Sequence, residues 1–185
     1  MMVRRSVDPL VVGRLIGDVV DMFMPTVDMA VYYGPKAITN GSDVKPSMVA
    51  DRPRVHIGGD STQLYTLVRS FSSSVMTDPD APSPSEPCMR ELIHWIVTDI
   101  PGNTHDITRG KEAVPYMGPK PTVGIHRYIL VLFQQKKPLG ELQPPVTSRS
   151  NFCTRAFAHH LELDSPVATV YFNAHKEPAT TRRRN

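Results

Sequence analysis

The chain has 185 residues, of which 40% are hydrophobic and 21% charged, a composition that suits one soluble domain with a sizeable core. Its formal net charge is only +3, and the arginines at 182–184 supply three positive charges alone. Such a nearly neutral body disfavours direct nucleic-acid binding, which depends on many Lys and Arg contacts to phosphate. We expect a single domain over residues 1–185, with a body at about 8–178 and a flexible basic tail at 179–185.

The cysteines and the apolar pattern indicate a reduced, soluble, intracellular protein. Cys88 and Cys153 show neither metal-ligand spacing nor a disulfide framework. The opening stretch MMVRRSVDPL lacks the apolar run of a signal peptide, and no stretch approaches the roughly 18 apolar residues of a membrane span. Prolines are frequent and scattered, which favours loops and extended segments over a helical bundle.

The N-terminal stretch DPLVVGRLIGDVVDMF predicts a short amphipathic helix. Asp8 suits the N-cap and Pro9 the first helical position. Val12, Ile16 and Val19 then follow at helical spacing. Because β-branched residues and two glycines weaken this helix, it must depend on packing against the rest of the protein.

The remaining elements are mostly strands separated by Gly, Pro, Asn and Asp. A second short helix is predicted in SNFCTRAFAHHLEL, with Ser150 or Asn151 as its cap. The predicted strands are MAVYYG, PRVHIGG, LYTLV, HWIVTDI, HRYILVLFQQ and PVATVYFNAHKE. We therefore expect a mostly β fold, a large antiparallel sheet core with short peripheral helices.

Three segments place polar side chains where strands begin or end. Asp78 and Asp80 lie on a proline-stiffened turn, and His94 lies at the head of a strand. His126 and Tyr128 occupy alternate positions of one strand and therefore share a face. Imidazole donors, a phenol and a carboxylate around a Gly-Pro loop are typical of a small anion-binding cavity.

Other interpretations of these side chains remain open. Each histidine on its own suits a structural role, and Asp78, His94 and His126 superficially resemble a two-histidine, one-carboxylate metal site. No G-x-S-x-G or H-E-x-x-H motif supports hydrolytic chemistry. We therefore expect a protein that is not an enzyme and holds no cofactor or metal.

The motifs DPDAPSPSEP, RELIHW and GIHRY, in this order, closely resemble the phosphatidylethanolamine-binding protein family, in its plant branch of flowering and germination regulators. The resemblance runs from about Asp8 to Pro178 and implies a large antiparallel β-fold with a phosphate-sized pocket at one end. The family's pocket positions fall on Asp78, Asp80, Pro82, His94, Gly118, His126 and Tyr128.

Within the plant branch, the resemblance is strongest to the mother-of-flowering-locus-T group. The subfamily-determining position two residues before the pocket histidine is Leu92, where florigens typically have Tyr, terminal-flower repressors His and the mother group usually Trp. The N-terminal stretch, PSEPCMREL and Pro178 favour the mother group, which implies a role in seed germination and dormancy.

The resemblance also implies partners. These are 14-3-3 proteins and, through them, basic-leucine-zipper transcription factors, with a phospholipid headgroup or phosphate as a possible ligand. Pro101 matches the family's 14-3-3 surface, and Lys136 and Lys137 supply charge from a shifted position. We expect a monomer in the cytoplasm and nucleus; the alternative is a phospholipid carrier or sensor at membranes.

An insertion of seven residues, 69–75, separates LYTLV from MTDPD, which are contiguous in the family. An odd shift along a strand would turn every upstream side chain to the other face. We therefore expect residues 69–74 to loop out and Val75 to rejoin the strand. The insertion is interpreted either as a neutral or damaging product of splicing or gene annotation, or as a lid over the pocket.

Overall fold

The computed structural model describes residues 8–58, 71–101, 106–143 and 145–178, and within them it consists mainly of β-strands. The strands are β1 Asp28–Tyr33, β2 Lys36–Ala37, β3 Ser42–Asp43, β4 Arg54–Gly58, β5 Phe71–Asp78, β6 Leu92–Pro101, β7 Lys111–Val114, β8 Ile125–Gln135 and β9 Pro166–His175. The helices are α1 Pro9–Val12, α2 Leu15–Asp18 and α3 Thr154–His160, with 3₁₀ turns at Pro46–Val49 and Ile107–Arg109.

The strands form two sheets. The larger has the order β3-β9-β8-β5-β6-β7 and is antiparallel except for the short parallel pair β3 and β9. The smaller has the order β2-β1-β4 and is antiparallel throughout. The predicted antiparallel sheet core is confirmed, while the predicted strand LYTLV and the basic tail lie outside the described residues.

Each face of the larger sheet contacts a separate hydrophobic cluster. Along β8, Leu130 and Leu132 face a first cluster, which also contains Val31 and Val55 of the smaller sheet. Val131 faces the second cluster, which the N-terminal segment and α3 cover. The alternation explains why β8 is hydrophobic at almost every position, since a strand covered on both faces has no solvent side.

The N-terminal helix is broken, which corrects the prediction of one continuous helix. Asp8 caps α1 as predicted, because its carboxylate accepts a hydrogen bond from the Leu10 N–H at 2.9 Å. Arg14 then takes a left-handed conformation, with φ of 55°, and the helical spacing is lost. Val12 consequently lies in solvent, contrary to the prediction, whereas Val19 is buried as predicted and Leu15 is buried as well.

Helix α3 begins at Cys153 as its N-cap, three residues later than Ser150. Asn151 has a φ of 58°, and Phe152 exchanges two backbone hydrogen bonds of 3.0 Å with Glu91. The Glu91 carboxylate also accepts a hydrogen bond from the Thr154 N–H at 3.2 Å. The contact with Glu91, distant in sequence, therefore moves the helix start from the predicted caps Ser150 and Asn151 to Cys153, whose Sγ accepts a hydrogen bond from the Ala156 N–H at 3.5 Å.

The predicted loop at residues 69–74 is wrong for the part that the structure describes. Phe71–Asp78 is one strand, in which Ser72 pairs with Gln134 and Ser74 with Leu132 of β8. Two long neighbours, β8 and β6, offer backbone partners on both sides, and pairing with them outweighs the poor strand propensity of serine. The serines therefore form part of the sheet.

The lid interpretation also fails for these residues. Phe71 and Asp78 are the two ends of an eight-residue strand, so about 23 Å separate them at the usual rise per residue. Phe71 instead pairs with Pro101 and with Gln135. We call the Asp78 end of β5 the pocket end, and the end at Phe71, Pro101 and Gln135 the far end.

Candidate anion-binding site

The turn after β5 carries both predicted carboxylates. The Oδ1 atom of Asp78 accepts a hydrogen bond from the Asp80 N–H at 2.8 Å, which closes the turn. The chain then passes through a cis peptide bond between Ala81 and Pro82. Because the Pro82 carbonyl accepts a hydrogen bond from the Thr122 hydroxyl at 2.8 Å, the turn is also tied to the loop before β8.

Asp78 and His126 form a buried pair at the pocket end. The His126 Nδ1 lies 2.7 Å from the Asp78 Oδ2, and both side chains are nearly inaccessible to solvent. The His126 Nε2 lies 3.0 Å from the Val123 carbonyl oxygen. Burial alone would lower the pKa of His126, but the hydrogen bond and charge of Asp78 outweigh it and raise this pKa above its usual value. His126 is therefore best described as an imidazolium that donates from both nitrogens.

His94 occupies an irregularity in the pairing of β6 with β5. Met76 pairs with Trp95 but the next residue, Thr77, pairs with Ile93, so His94 has no partner on β5. An extra residue of this kind bends a strand and redirects a side chain. As a result, His94 and Trp95 both point toward the first hydrophobic cluster, where each contacts a tyrosine ring.

The two nitrogens of His94 differ in their surroundings. Nδ1 lies 2.6 Å from the Met117 carbonyl oxygen. Nε2 is buried and has no hydrogen-bond partner in the part of the chain that the structure describes. Burial lowers the pKa of His94, and the Met117 carbonyl and the charge of Asp78 offset this only in part. His94 is therefore neutral at physiological pH.

Tyr128 lies between the two histidines. Its ring meets the His94 ring edge to face at a centroid distance of 5.1 Å and stacks with the His126 ring at 6.4 Å. Burial, followed by the nearby Asp78 carboxylate, raises the pKa of the Tyr128 hydroxyl well above its usual value. The predicted shared face of His126 and Tyr128 is confirmed, and His94 joins them there.

Asp80 does not face this cluster, because Arg127 holds its carboxylate. The Arg127 Nε and Nη2 donate to the two Asp80 oxygens at 2.8 and 2.7 Å. The Arg127 Nη1 donates to the Gly13 carbonyl at 2.8 Å and to Asp18 at 3.0 Å. Asp18 also pairs with Arg90 at 3.1 Å. The predicted carboxylate at Asp80 therefore anchors the N-terminal segment to the turn.

Arg127 is the site residue that the sequence prediction missed. It lies between His126 and Tyr128, which share one face, so it must point to the other face of β8. An isolated arginine in an otherwise apolar strand, three residues after Gly124, was the available signal. A bidentate arginine–carboxylate pair is a strong and geometrically specific contact, and here it orients the turn that carries Asp78.

The cluster does not suit a two-histidine metal site. Both nitrogens of His126 face acceptor oxygens, so neither has a lone pair to offer a metal ion. No group of three or more His, Cys, Asp or Glu side chains arranged to hold a metal was found among the described residues. The described helices also include none with the length and apolar character of a membrane span.

Residues 35–172 match the family described as phosphatidylethanolamine-binding protein. The chain belongs to this family. It is 55% identical to Protein MOTHER of FT and TFL1 homolog 2 of Oryza sativa subsp. japonica, over 97% of this chain and 99% of that protein. Identity is 48% to Protein TERMINAL FLOWER 1 of Arabidopsis thaliana, over 97% of both chains. The predicted family, plant branch and resemblance to the mother group are confirmed.

Solved structures show the same fold. The crystal structure of carboxypeptidase Y inhibitor complexed with its cognate proteinase superposes with a TM-score of 0.78, at 23% identity, and covers 91% of this chain and 94% of that chain. The phosphatidylethanolamine-binding protein from Plasmodium vivax has a TM-score of 0.74 at 20% identity, covering 91% of this chain and 96% of that one. The phosphatidylethanolamine-binding fold is thus retained despite low identity.

Two further predicted residues of this family member have structural contacts. A Cβ atom on Gly118 would lie 2.8 Å from the Ala50 carbonyl oxygen, so the glycine allows the loop to pack closely on the turn at Pro46–Val49 and Ala50. Leu92 pairs with Asp78 across β5 and β6, and its carbonyl accepts a hydrogen bond from Thr77 at 3.3 Å. The assignment of Leu92 as a subfamily determinant stays a prediction.

The far end brings the predicted partner residues together. Phe71 lies between Pro101 on β6 and Gln135 on β8, and Lys136 and Lys137 follow directly. The Lys136 ammonium pairs with Asp164 at 3.0 Å, and both side chains are more than half exposed.

Asp99 fixes the loop after β8 at the far end. Its Oδ1 accepts hydrogen bonds from the Leu139 N–H at 2.7 Å and from the Gln135 amide at 2.9 Å. Its Oδ2 accepts from the Gly140 N–H at 2.9 Å. Although burial alone would raise it, the pKa of Asp99 is lowered by these donors. The loop that carries Lys136 and Lys137 is therefore held rigidly against β6.

Proposed function

We propose that this protein is a non-enzymatic regulatory adaptor of plant seed germination, dormancy or flowering. It acts in the cytoplasm and nucleus with 14-3-3 proteins and, through them, basic-leucine-zipper transcription factors. A pocket for a phosphoryl group at the Asp78 end regulates or stabilises it. The similarity to plant flowering regulators over nearly the whole chain supports the biological role.

The hydrogen bonds within the pocket are the main argument that it binds a ligand and does not catalyse a reaction. Asp78 and His126 are bonded to each other at 2.7 Å, and the second nitrogen of His126 is bonded to the Val123 carbonyl. Neither group is available as a general base or nucleophile, because a base needs a free lone pair within reach of the proton it removes. Among the described residues, His94 Nε2 is buried without a hydrogen-bond partner, and it suits a bound ligand.

The far end supports the adaptor role. Pro101 and Gln135 flank Phe71 there, Lys136 and Lys137 follow Gln135, and Asp99 fixes the loop after β8. A rigid, charged surface gives a partner a preformed site and lowers the entropic cost of binding.

A binding assay with a recombinant plant 14-3-3 protein tests this proposal. We expect the double substitution Lys136→Glu/Lys137→Glu to weaken binding by about tenfold, or about 1.4 kcal/mol. Lys120→Glu/Lys176→Glu makes the same charge change at exposed positions toward the pocket end and should leave the affinity unchanged. Equal effects of the two variants, or no binding by the unmodified protein, would contradict the adaptor surface.

The unpartnered nitrogen of His94 also favours a second function, a phospholipid carrier or sensor. Flotation with liposomes that contain phosphatidylethanolamine distinguishes the carrier or sensor function from the adaptor function. A carrier should float, and His94→Ala should abolish flotation. The adaptor should stay at the bottom of the gradient with or without this substitution.

A further inference from the structure

The tautomer of His94 is determined by its partner. The Met117 carbonyl oxygen, 2.6 Å from Nδ1, can only accept a hydrogen bond, so Nδ1 must carry the hydrogen. In the neutral imidazole, Nε2 then has a lone pair and no hydrogen. This buried, unpartnered nitrogen is therefore an acceptor, although an anion needs a donor.

The neighbouring donors are already committed. His126 donates to Asp78 and to the Val123 carbonyl. The Tyr128 hydroxyl interacts with Asp78. Asp78 accepts at both oxygens, from Asp80 and from His126. With both His126 hydrogens committed, a proton on His94 Nε2 is the imidazole hydrogen that remains for an incoming oxyanion.

We propose that an oxyanion binds at His94 together with one proton, which lies between Nε2 and a ligand oxygen. This inference rests on the anion pocket of the proposed function. The ligand's negative charge stabilises the imidazolium, and the resulting hydrogen bond is charge-assisted. Affinity for a permanently ionised oxyanion therefore increases as the pH falls.

The groups around His94 explain why the proton arrives with the ligand. From β5, Asp78 favours the charged imidazole, but its charge is already shared with His126 of β8. Arg149, from the segment before α3, opposes protonation, and its guanidinium donates to the His94 carbonyl at 3.3 Å. Tyr128 covers one side of the ring with a neutral phenol. Burial is the largest opposing effect and lowers the pKa of His94 in the absence of ligand.

Inorganic sulfate is the appropriate probe, because it stays fully ionised across the range in which imidazole titrates. We expect its affinity, measured by NMR titration, to fall about tenfold per pH unit above pH ~6.5. Calorimetry in two buffers of different ionisation enthalpy should show one proton taken up per sulfate bound. Glycerophosphoethanolamine, a phosphodiester that also does not titrate here, distinguishes a lipid headgroup from a free anion by its relative affinity at one pH.

His94→Gln provides the matched variant, because its amide N–H can donate without titrating. Just above pH ~6.5, where the raised pKa of His126 keeps that side chain protonated, sulfate affinity of this variant should not depend on pH, whereas exposed His175→Gln should retain the slope. If His94→Gln does not fold, proton uptake by the unmodified protein decides the question. Sulfate binding with pH-independent affinity and no proton uptake would overturn this inference and leave the pocket intact. Failure of sulfate and glycerophosphoethanolamine to bind at any pH would contradict the pocket as well.

Discussion

Charged pairs join β5 and the following turn to β8 at the pocket end, whereas uncharged serine hydroxyls are buried in β5 toward the far end. At the pocket end, Asp78 pairs with His126 and Asp80 pairs with Arg127. Toward the far end, Ser73 donates to Gln135 at 2.7 Å, but the buried hydroxyl of Ser74 has no partner in the described part of the chain. Substitutions at the pocket end should therefore destabilise the protein, and some changes toward the far end should stabilise it.

The largest expected effect comes from Asp78→Ala. Removal of one partner from a buried ion pair leaves the other charge uncompensated, which typically costs about 3–5 kcal/mol of unfolding free energy. The His126 and Asp78 side chains are 3% and 2% exposed, so solvent cannot replace the lost carboxylate. Chemical denaturation measures the loss. The control Glu86→Ala, in the exposed loop after the turn, should change stability by less than about 0.5 kcal/mol, and equal stabilities would contradict the comparison.

The pH dependence of stability sharpens this prediction. Asp78 raises the pKa of His126 in the folded state above its usual 6.5. The folded protein therefore binds this proton more tightly than the unfolded chain. Its contribution to stability is complete below pH ~6.5 and is lost as the pH rises through the raised pKa. In melting curves, this alkaline loss should be present in the unmodified protein and absent from Asp78→Ala.

Deletion of residues 69–75 tests whether changes toward the far end can stabilise the protein. Counted back from Met76, the deletion places Leu67 where Ser74 now lies, between Leu132 and Val97 of the first cluster. We expect the unfolding free energy to rise by about 1–3 kcal/mol, because a leucine is buried and an unpaired hydroxyl is removed. Thermal melts of both forms measure this, and lower stability would show that the insertion is a structural part of the protein.

The same deletion should affect the partner surface and the pocket differently, so two binding measurements test them independently. We expect tighter 14-3-3 binding, since the start of β5 contacts Pro101 and Gln135, next to Lys136. Sulfate affinity should not change, because the described part of the deletion, residues 71–75, lies in β5 before Asp78 and supplies none of the pocket side chains. A fall in sulfate affinity would instead support the interpretation of the insertion as a lid. Unchanged 14-3-3 binding would show that β5 does not position the partner surface.

The sequence predicted the pocket better than the far end for a physical reason. Asp78, His126 and Tyr128 depend on a turn and on strand alternation, which are local properties. The insertion places the serine-rich stretch FSSSV directly before Met76, and its poor strand propensity favoured a loop there. Pairing with β8 and β6 decided the register, and such pairing is not visible in one sequence.

The contacts that the sequence prediction missed also join residues that are distant in the sequence. Arg127 reaches Gly13 and Asp18, more than a hundred positions earlier in the chain, at distances of 2.8 and 3.0 Å. The break in the N-terminal helix accompanies a close approach of Gly13 to Tyr171, whose hydroxyl would lie 2.6 Å from a Cβ atom there. Tertiary contacts of this kind override local helix propensity.

Substitutions of two neighbouring serines should have smaller effects on stability, and the two effects should be opposite in sign. Ser74→Ala should raise stability by about 1 kcal/mol, because it removes a buried hydroxyl that lacks a partner. Ser73→Ala should lower stability by a similar amount, because it removes the hydrogen bond to Gln135. Denaturation midpoints measure both. If both substitutions destabilise the protein, the Ser74 hydroxyl has a partner, and the contrast between the two ends is smaller than we infer.

The smallest effect is expected at the exposed ion pair of the far end. Lys136 and Asp164 are 3.0 Å apart, close to the 2.7 Å of Asp78 and His126, but their side chains are 65% and 56% exposed. Water solvates both charges and salt screens them, so the pair should contribute at most about 0.5 kcal/mol. A double-mutant cycle with Lys136→Ala and Asp164→Ala measures this coupling, which should vanish at high salt. A coupling as large as the loss in Asp78→Ala would show that burial does not distinguish the two ends.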